Sequence, residues 1–426
     1  MSAHLLPDLV RFARHNSPFY RDLYSSLPPA IDRLTDLPVV DQRAFWEANT
    51  PHDNRVLTGP LAEATVYKTG GTTGSPKFSV YTRDEWRTFV TAFGQGIVDA
   101  GLRPGHRVAD LFYAGELYAS FLFVLDSLAH APVDNVRLPI GGAAPVESTI
   151  ATLRELRAQV VAGTPTTLCR LADRISASVG PLGHVELLFF GGEALFDDQR
   201  RLLARAFPRA KVRSIGYAGV DSGLLGRPVP GNDARVHRPF SPYSVVEILD
   251  ETTGEPISAP GRPGRVVVTS LFRRLMPVIR YPVGDRAEWT GTGPRHFRVL
   301  GRAEEGVRVG PVALYTQDVQ DAIASADVYG LVVGAQLVVR RWDGRDGLVL
   351  RMATAPGDAP AADAGVRAAL AAAVVAELQS VRPLYPDSVR AGFVHSPLVE
   401  WVSHGDLVVN PRSGKLIRVL DERPTK

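Results

Sequence analysis

The stretch Val66-Tyr67-Lys68-Thr69-Gly70-Gly71-Thr72-Thr73-Gly74-Ser75-Pro76-Lys77 decides how the rest of this chain is read. Three glycines allow a backbone turn to bring its N–H groups close to an anion, the threonine hydroxyls add donors, and Lys77 adds a positive charge on a long arm. Such a loop suits a polyphosphate. It is not a Walker A loop, because no Gly-Lys-Ser/Thr follows the first glycine at the required spacing. A plain hairpin connection is the alternative, since Gly-, Ser- and Thr-rich stretches between β-branched runs commonly form turns.

Working outward, residues 78–81 alternate like a strand, and Thr82-Arg83-Asp84-Glu85 has the form of a capping box opening a helix that runs to Ala100. Strands are then expected over 107–112, 159–162, 184–190 and 211–215, and helices over 116–128, 146–158, 165–176 and 196–207. This alternation predicts a parallel sheet covered by helices on both faces, with ligands at the carboxyl ends of its strands. Upstream, residues 1–60 read as a helix ending at Asn16-Ser17-Pro18, then a capping segment with a short helix after Asp41. From Pro230 onward the helices stop. Runs over 243–249, 264–270 and 276–281, separated by Gly- and Pro-rich turns, predict antiparallel strands in a distorted barrel or small sheet. Past Leu300-Gly301-Arg302 come a helix over 316–325, strands near 331–339 and 347–352, and an alanine-rich helix over 361–378, the make-up of a small α+β domain. The expected fold class is therefore α/β: a large domain over 1–302, with parallel sheets flanked by helices plus the barrel-like part, and a small domain over 303–426.

Composition narrows the function. At 426 residues the chain exceeds one ordinary core. Hydrophobic content of 45% and charged content of 22% are those of a globular protein. A net charge of +3 with no dense Lys/Arg run disfavours nucleic acid as a partner. The single cysteine, Cys169, excludes an internal disulfide framework and a multi-cysteine zinc site. The first twenty residues carry charges throughout, unlike a signal peptide, and no apolar run is read as a membrane span, so the expected location is the cytoplasm.

Four more stretches place polar groups at turns. Phe189-Phe190-Gly191-Gly192-Glu193 ends a strand in two glycines, against which a flat ligand can lie, although a strand-to-helix turn needs glycine too. Gly216-Tyr217-Ala218-Gly219-Val220-Asp221-Ser222 sets an aromatic face four residues from a carboxylate able to hold a divalent cation; a solvated loop is the alternative. Arg280-Tyr281-Pro282-Val283-Gly284-Asp285 fixes a carboxylate whose two oxygens can receive two ribose hydroxyls, with Arg302 following as a donor. Ser413-Gly414-Lys415 presents an ammonium able to neutralise charge developing on a carboxylate that attacks a phosphate, although most lysines are solvated tail groups.

In this order, these stretches resemble the acyl-adenylate-forming superfamily, and within it the phenylacetate–CoA ligase branch. The resemblance spans nearly the whole chain, from Ser17-Pro18-Phe19-Tyr20-Arg21 through Gly163-Thr164-Pro165 to Gly414-Lys415 and Arg418-Val419-Leu420-Asp421. It implies a carboxylate and Mg-ATP giving an acyl-adenylate and pyrophosphate, followed by displacement of AMP by a thiol, usually coenzyme A. By that resemblance Thr69, Gly70, Gly71, Thr72, Thr73, Gly74 and Lys77 hold the β- and γ-phosphates. Gly191, Gly192 and Glu193 with Tyr217 frame adenine, Asp285 and Arg302 hold the ribose, and Asp221 binds Mg2+. Lys415 bridges the substrate carboxylate and the α-phosphate, and Glu304 is the hinge about which the mobile small domain rotates. Two departures stand out. The usual glutamate of the magnesium motif is the shorter Asp221, with Ser222 the nearest hydroxyl, and the usual aspartate hinge pair is Glu304-Glu305 before a loop carrying Pro311.

The acid pocket implied by the resemblance is lined by Phe112, Tyr113, Glu116, Tyr118, Phe190, Ala218 and Gly219, which suits an aromatic or arylalkyl acid. Glu116 either meets an amino group of the substrate or, as the first residue of a helix, complements its dipole. The leading expectation is an acid–CoA ligase. Delivery to an acyl carrier protein, an amine or nitrite is a second reading, and a nucleotide-binding protein without turnover a third. Neither nucleic acid nor a membrane is an expected partner, and a homodimer is possible.

Overall fold

Ser17 accepts the backbone N–H of Tyr20 and Asp41 that of Ala44, so the helix Gln42–Ala48 begins where the sequence places a short helix, while the break expected at 16–18 is the N-cap of a further helix, Pro18–Leu23. The computed structural model describes residues 2–29, 31, 33–68, 77–231, 233–291, 295–302, 306–354 and 363–423. Thr69, Gly70, Gly71, Thr72, Thr73 and Gly74 of the glycine loop, and the hinge residue Glu304, lie outside the described residues. The chain divides into two compact units, each from two separate stretches: 1–141 with 213–303, and 142–212 with 304–426.

In the first unit, Ala64–Lys68 and Phe78–Thr82 pair antiparallel and flank the glycine loop. Thr82 and Glu85 form the capping box of the helix Arg83–Ala100. The strands His106–Asp110 and Asn135–Pro139 run parallel, joined through the helix Ser120–Ala129. That helix starts four residues later than its apolar pattern suggests. Gly115, Glu116 and Leu117 have φ values of +101°, +47° and +64°, a left-handed run that no helix accommodates. Glu116 is thus an exposed turn residue, and its reading as a helix-opening acid is corrected.

The barrel-like part is one seven-stranded antiparallel sheet. In spatial order its strands are Ser244–Leu249, Gly264–Ser270, Tyr281–Trp289, Phe297–Arg302, Val236–Pro239, Gly223–Pro228 and Tyr217–Gly219. The strand expected over 276–281 instead begins at Tyr281, because Arg280 has φ +46° and residues 271–280 bend. Beneath this sheet the N-terminal segment packs Leu9, Val10, Tyr20, Tyr24 and Phe45 against Val266, Val268, Met276, Ile279 and Phe297. Tyr20 Oη donates to the Pro277 carbonyl at 2.9 Å and accepts the Ile279 N–H at 3.2 Å, so the aromatic anchor of the N-terminus shapes the bend before Tyr281.

In the second unit, the strands Val160–Gly163 and Leu187–Phe190 pair parallel and are buried at every residue, as an all-apolar run predicts. Helices Val146–Glu155, Pro165–Ser178 and Asp197–Ala206 accompany them. The later stretch adds the hairpin Gly306–Val309 with Val312–Tyr315 and a four-stranded sheet in the order Leu398–Ser403, Arg345–Thr354, Val332–Trp342, Val419–Asp421. The alanine-rich helix Ala364–Val381 is long and apolar enough by length and composition to cross a membrane, with mean hydropathy 1.4, which corrects the expectation that no run reaches that length. Its Leu370, Val374 and Leu378, four residues apart, nevertheless pack into the core with Val319, Ile323 and Leu350.

Candidate active site

The polar groups of the first unit converge on the edge formed by Tyr217–Gly219 and the turn after it. Asp285 stands opposite Arg302 in the antiparallel register. Its Oδ1 lies 3.1 Å from Arg302 Nε, and its Oδ2 accepts the Tyr217 hydroxyl. Burial, reinforced by the Asp285 charge, pushes the Tyr217 phenol up, so it remains a donor. A carboxylate offers about four lone-pair sites, the acceptor capacity that receiving two ribose hydroxyls requires.

Asp221 is held by a second tyrosine. The Tyr281 hydroxyl accepts Gln42 Nε2 and Trp46 Nε1, both at 2.9 Å, and with its acceptor sites filled it donates to Asp221 Oδ2 at 3.3 Å. Asp221 Oδ1 accepts the Ser222 N–H at 2.9 Å. Ser222 itself is fully buried, its Oγ unpartnered, and a Cβ at Gly219 would stand 2.4 Å from that Oγ. The hydroxyl therefore fills the space a side chain at position 219 would need, and only glycine lets the loop fold back so tightly. Ala218 is half-buried.

No group of three or more His, Cys, Asp or Glu able to hold a metal occurs among the described residues. A lone carboxylate fits Mg2+, which keeps waters and relies on substrate phosphates for its remaining ligands. Lys77, the described end of the glycine loop, lies 5.5 Å from the Trp46 ring centroid, on the same indole whose N–H serves Tyr281.

Several residues to which the sequence argument gives no role of their own hold this arrangement. Arg273 is completely buried, donates to the Asp221 carbonyl at 2.6 Å and the Val80 carbonyl at 3.0 Å, and stacks 4.1 Å over Tyr81. Tyr81 Oη in turn donates to the Val220 carbonyl at 2.7 Å. The exit strand of the glycine loop and the Asp221 turn are thereby fastened together. Arg280, buried and paired with Glu247 at 2.9 Å, fixes the backbone before Tyr281. Position 273 shows only as one of two adjacent arginines in an apolar run, a pattern that does not separate a buried hub from a surface pair.

Of the acid-pocket residues in this unit, Phe112 and Tyr113 are buried, Tyr118 is half-buried and Glu116 is exposed. Asp110, completely buried at the carboxyl end of the strand His106–Asp110, accepts the Phe112 N–H through Oδ1 while its Oδ2 has no partner. Burial raises its pKa to about 8. The Lys68 N–H donates to the Leu117 carbonyl at 2.9 Å, so the strained 115–117 turn is tied to the entry strand of the glycine loop.

In the second unit, Phe190 is buried at the end of its strand, and Gly191, Gly192 and Glu193 follow. Gly192 has φ +80°, and a Cβ there would stand 3.1 Å from Lys415 Cε and 3.4 Å from its Nζ. The lysine arm thus crosses glycine backbone at the carboxyl end of a parallel strand. Its hairpin is well braced: Asn410 Oδ1 accepts the N–H groups of Arg412 and Ser413, Gly414 takes φ +62°, and buried Gln336 bonds Val408 and Ile417 on both arms. Glu193 accepts Thr166 N–H at 3.1 Å, Thr166 Oγ1 at 2.8 Å and Leu416 N–H at 2.7 Å.

A family described as AMP-binding enzyme matches residues 28–272 of this sequence. The chain belongs to that family. Among curated AMP-binding relatives, the phenylacetate–coenzyme A ligase of Thermus thermophilus is 26% identical over 356 residues, covering 79% of this chain and 77% of that protein. The phenylacetate–coenzyme A ligase of Pseudomonas putida is 23% identical over 331 residues, covering 74% and 72%. Among solved structures, a 2-hydroxyisobutyryl-CoA ligase in the postadenylation state with R3-HIB-AMP superposes with a TM-score of 0.80 at 21% identity, covering 99% of this chain and 88% of that one. An anthranilate CoA ligase with anthranoyl-AMP gives 0.58 at 15% identity over 82% and 65%. The resemblance to adenylate-forming enzymes of the phenylacetate ligase branch, the α/β fold and the class of AMP-forming ligase are borne out.

Proposed function

We propose that this chain activates an aromatic or arylalkyl carboxylic acid with ATP and transfers the acyl group to coenzyme A. The observation that carries the reading is the ammonium of Lys415, brought from near the end of the sequence to the glycine backbone of Gly192 at a strand's carboxyl end. A cation placed there offsets the charge that accumulates when a carboxylate oxygen approaches the α-phosphorus, and it costs no reorganisation if already in position. Asp285 with Arg302 orients the ribose, and Tyr217 lies beside it. The backbone of Gly191 and Gly192 frames adenine, with the open side of Gly192 taken by the Lys415 arm, and Lys77 with residues 69–74 takes the leaving pyrophosphate. Asp221, held by Tyr281, is the protein ligand of Mg2+, which draws charge from the phosphates when bound. Phe112, Tyr113, Tyr118, Ala218 and Gly219 of the first unit are the residues assigned to the acid, with Glu116 exposed beside them, and Phe190 is the residue of the second unit assigned to it.

Residues 1–302 then act as the adenylation domain and 303–426 as the lid bearing Lys415, turning about Glu304. The lid must withdraw the lysine before a thiol enters. Acid-dependent ATP–pyrophosphate exchange over a panel of aryl, arylalkyl and small aliphatic acids tests the reading. Exchange is expected with the first two groups. Absence of exchange with every acid refutes it, and acyl release only to a carrier protein or an amine, with none to coenzyme A, moves the acceptor to that nucleophile.

A further inference from the structure

Glu193 has more donors aimed at it than a residue framing adenine needs. Thr166 supplies its backbone N–H, from the first turn of the helix Pro165–Ser178, and its hydroxyl, so the carboxylate is fixed at a helix N-terminus where negative charge is favoured. The shortest of its bonds, 2.7 Å to Oε1, comes from the Leu416 N–H, the residue directly after Lys415. A second hold lies two residues on. Arg418 stacks 4.6 Å over the Phe196 ring and donates to the Ala194 carbonyl at 3.3 Å. The segment 192–196 thus grips 415–418 at three points, with the Lys415 arm lying over Gly192 between them.

We propose that Glu193 is a positioning residue for adenylation: its carboxylate is a latch that docks the Lys415 hairpin for the first half-reaction and releases it for the second. The inference rests on the assignment of Lys415 to adenylation. The latch acts through one backbone N–H, so it fixes the lysine without touching the reacting atoms. Charge makes the bond strong, and its partial exposure at the hairpin tip keeps it reversible.

Glu193→Gln tests the latch with little change of shape. A carboxamide has one accepting oxygen, so in either orientation its NH2 faces a backbone N–H, of Leu416 or of Thr166. Acid-dependent ATP–pyrophosphate exchange is expected to fall about tenfold to a hundredfold, a clearly larger loss than that of thioester formation from supplied acyl-adenylate and coenzyme A. Amide hydrogen exchange over 414–418 is expected to quicken by at least about tenfold. An equal fall in both half-reactions, or hydrogen exchange over 414–418 matching wild type, overturns the proposal. If wild type shows no exchange with any acid, the assigned function fails, and amide hydrogen exchange alone then decides the latch. Should Glu193→Gln not fold by circular dichroism, Arg418→Gln takes its place with the same readouts and outcomes.

Discussion

At the residue scale, Lys415→Ala removes the ammonium beside Gly192 and leaves the braces at Asn410 and Gln336 intact. Pyrophosphate exchange is expected to drop by about a thousandfold, roughly 4 kcal/mol of transition-state stabilisation, with thiolysis of supplied acyl-adenylate largely retained. Normal exchange in the variant would refute the role of the lysine. Asp110 makes a different prediction. Its carboxyl, raised to about 8 by burial, stays protonated in the folded chain, whereas the unfolded chain ionises it above about 4. Its contribution to stability therefore falls as pH rises between those values. Asp110→Asn removes this loss, so relative to wild type the variant gains stability from pH 5 to pH 8 in urea unfolding; a difference independent of pH contradicts the buried neutral carboxyl. Lys415, Asp221 and Asp285 could be singled out in the sequence because charged groups beside glycines at strand ends are few. Arg273 and the Tyr281 hydroxyl could not, since their partners Val80, Asp221, Gln42 and Trp46 lie 52 to 239 residues away and no local pattern records such distances.

At the element scale, the capping box at the helix Arg83–Ala100 was legible because Thr82 and Glu85 satisfy it within one turn. Its second use was not. Glu85 Oε1 also accepts the N–H groups of Arg274 at 2.6 Å and Leu275 at 2.9 Å, so the cap that starts the helix holds the bend following Arg273. Glu85→Ala takes the acceptor from three backbone donors at once. An unfolding free energy lower by about 3–5 kcal/mol is expected, well beyond the roughly 1 kcal/mol of an ordinary cap, and Glu85→Gln is expected between the two. A loss of only the ordinary size for Glu85→Ala counts against the second use. The helix after residue 115 shows the converse: its apolar spacing extends back to Glu116, but spacing does not record the left-handed turn at 115–117, and the backbone overrules it.

At the scale of the whole molecule, strand and helix alternation gave the fold class, while the assembly of each compact unit from two distant stretches left no local trace. Stability against pH is likewise a property of the assembled units, and four groups that burial shifts to values between about 4 and 8 act on it in that range. His237 Nδ1 lies 2.9 Å from the Arg235 carbonyl and so carries the proton, leaving Nε2 to accept the Ser214 hydroxyl at 3.1 Å. Burial lowers its pKa to about 4, and burial with the Arg170 charge does the same to His404. Both histidines stay neutral when folded but take a proton below about 6.5 when unfolded, so each lowers stability as pH falls from 6.5 towards 4. Asp110, raised to about 8, and Asp173, raised by burial to about 6, act with the opposite sign and raise stability as pH falls through those values. Each proton contributes at most about 1.4 kcal/mol per pH unit, so the two histidines and the two carboxyls nearly cancel between pH 4.5 and 6. Of these four, only Asp110 still acts well above pH 6.5. Urea unfolding at pH 4.5, 5.5, 6.5 and 8 is therefore expected to give a plateau over the acidic values and a decline at pH 8. A steady loss of stability from pH 8 down to 4.5 contradicts the balance and places the weight on the histidines alone.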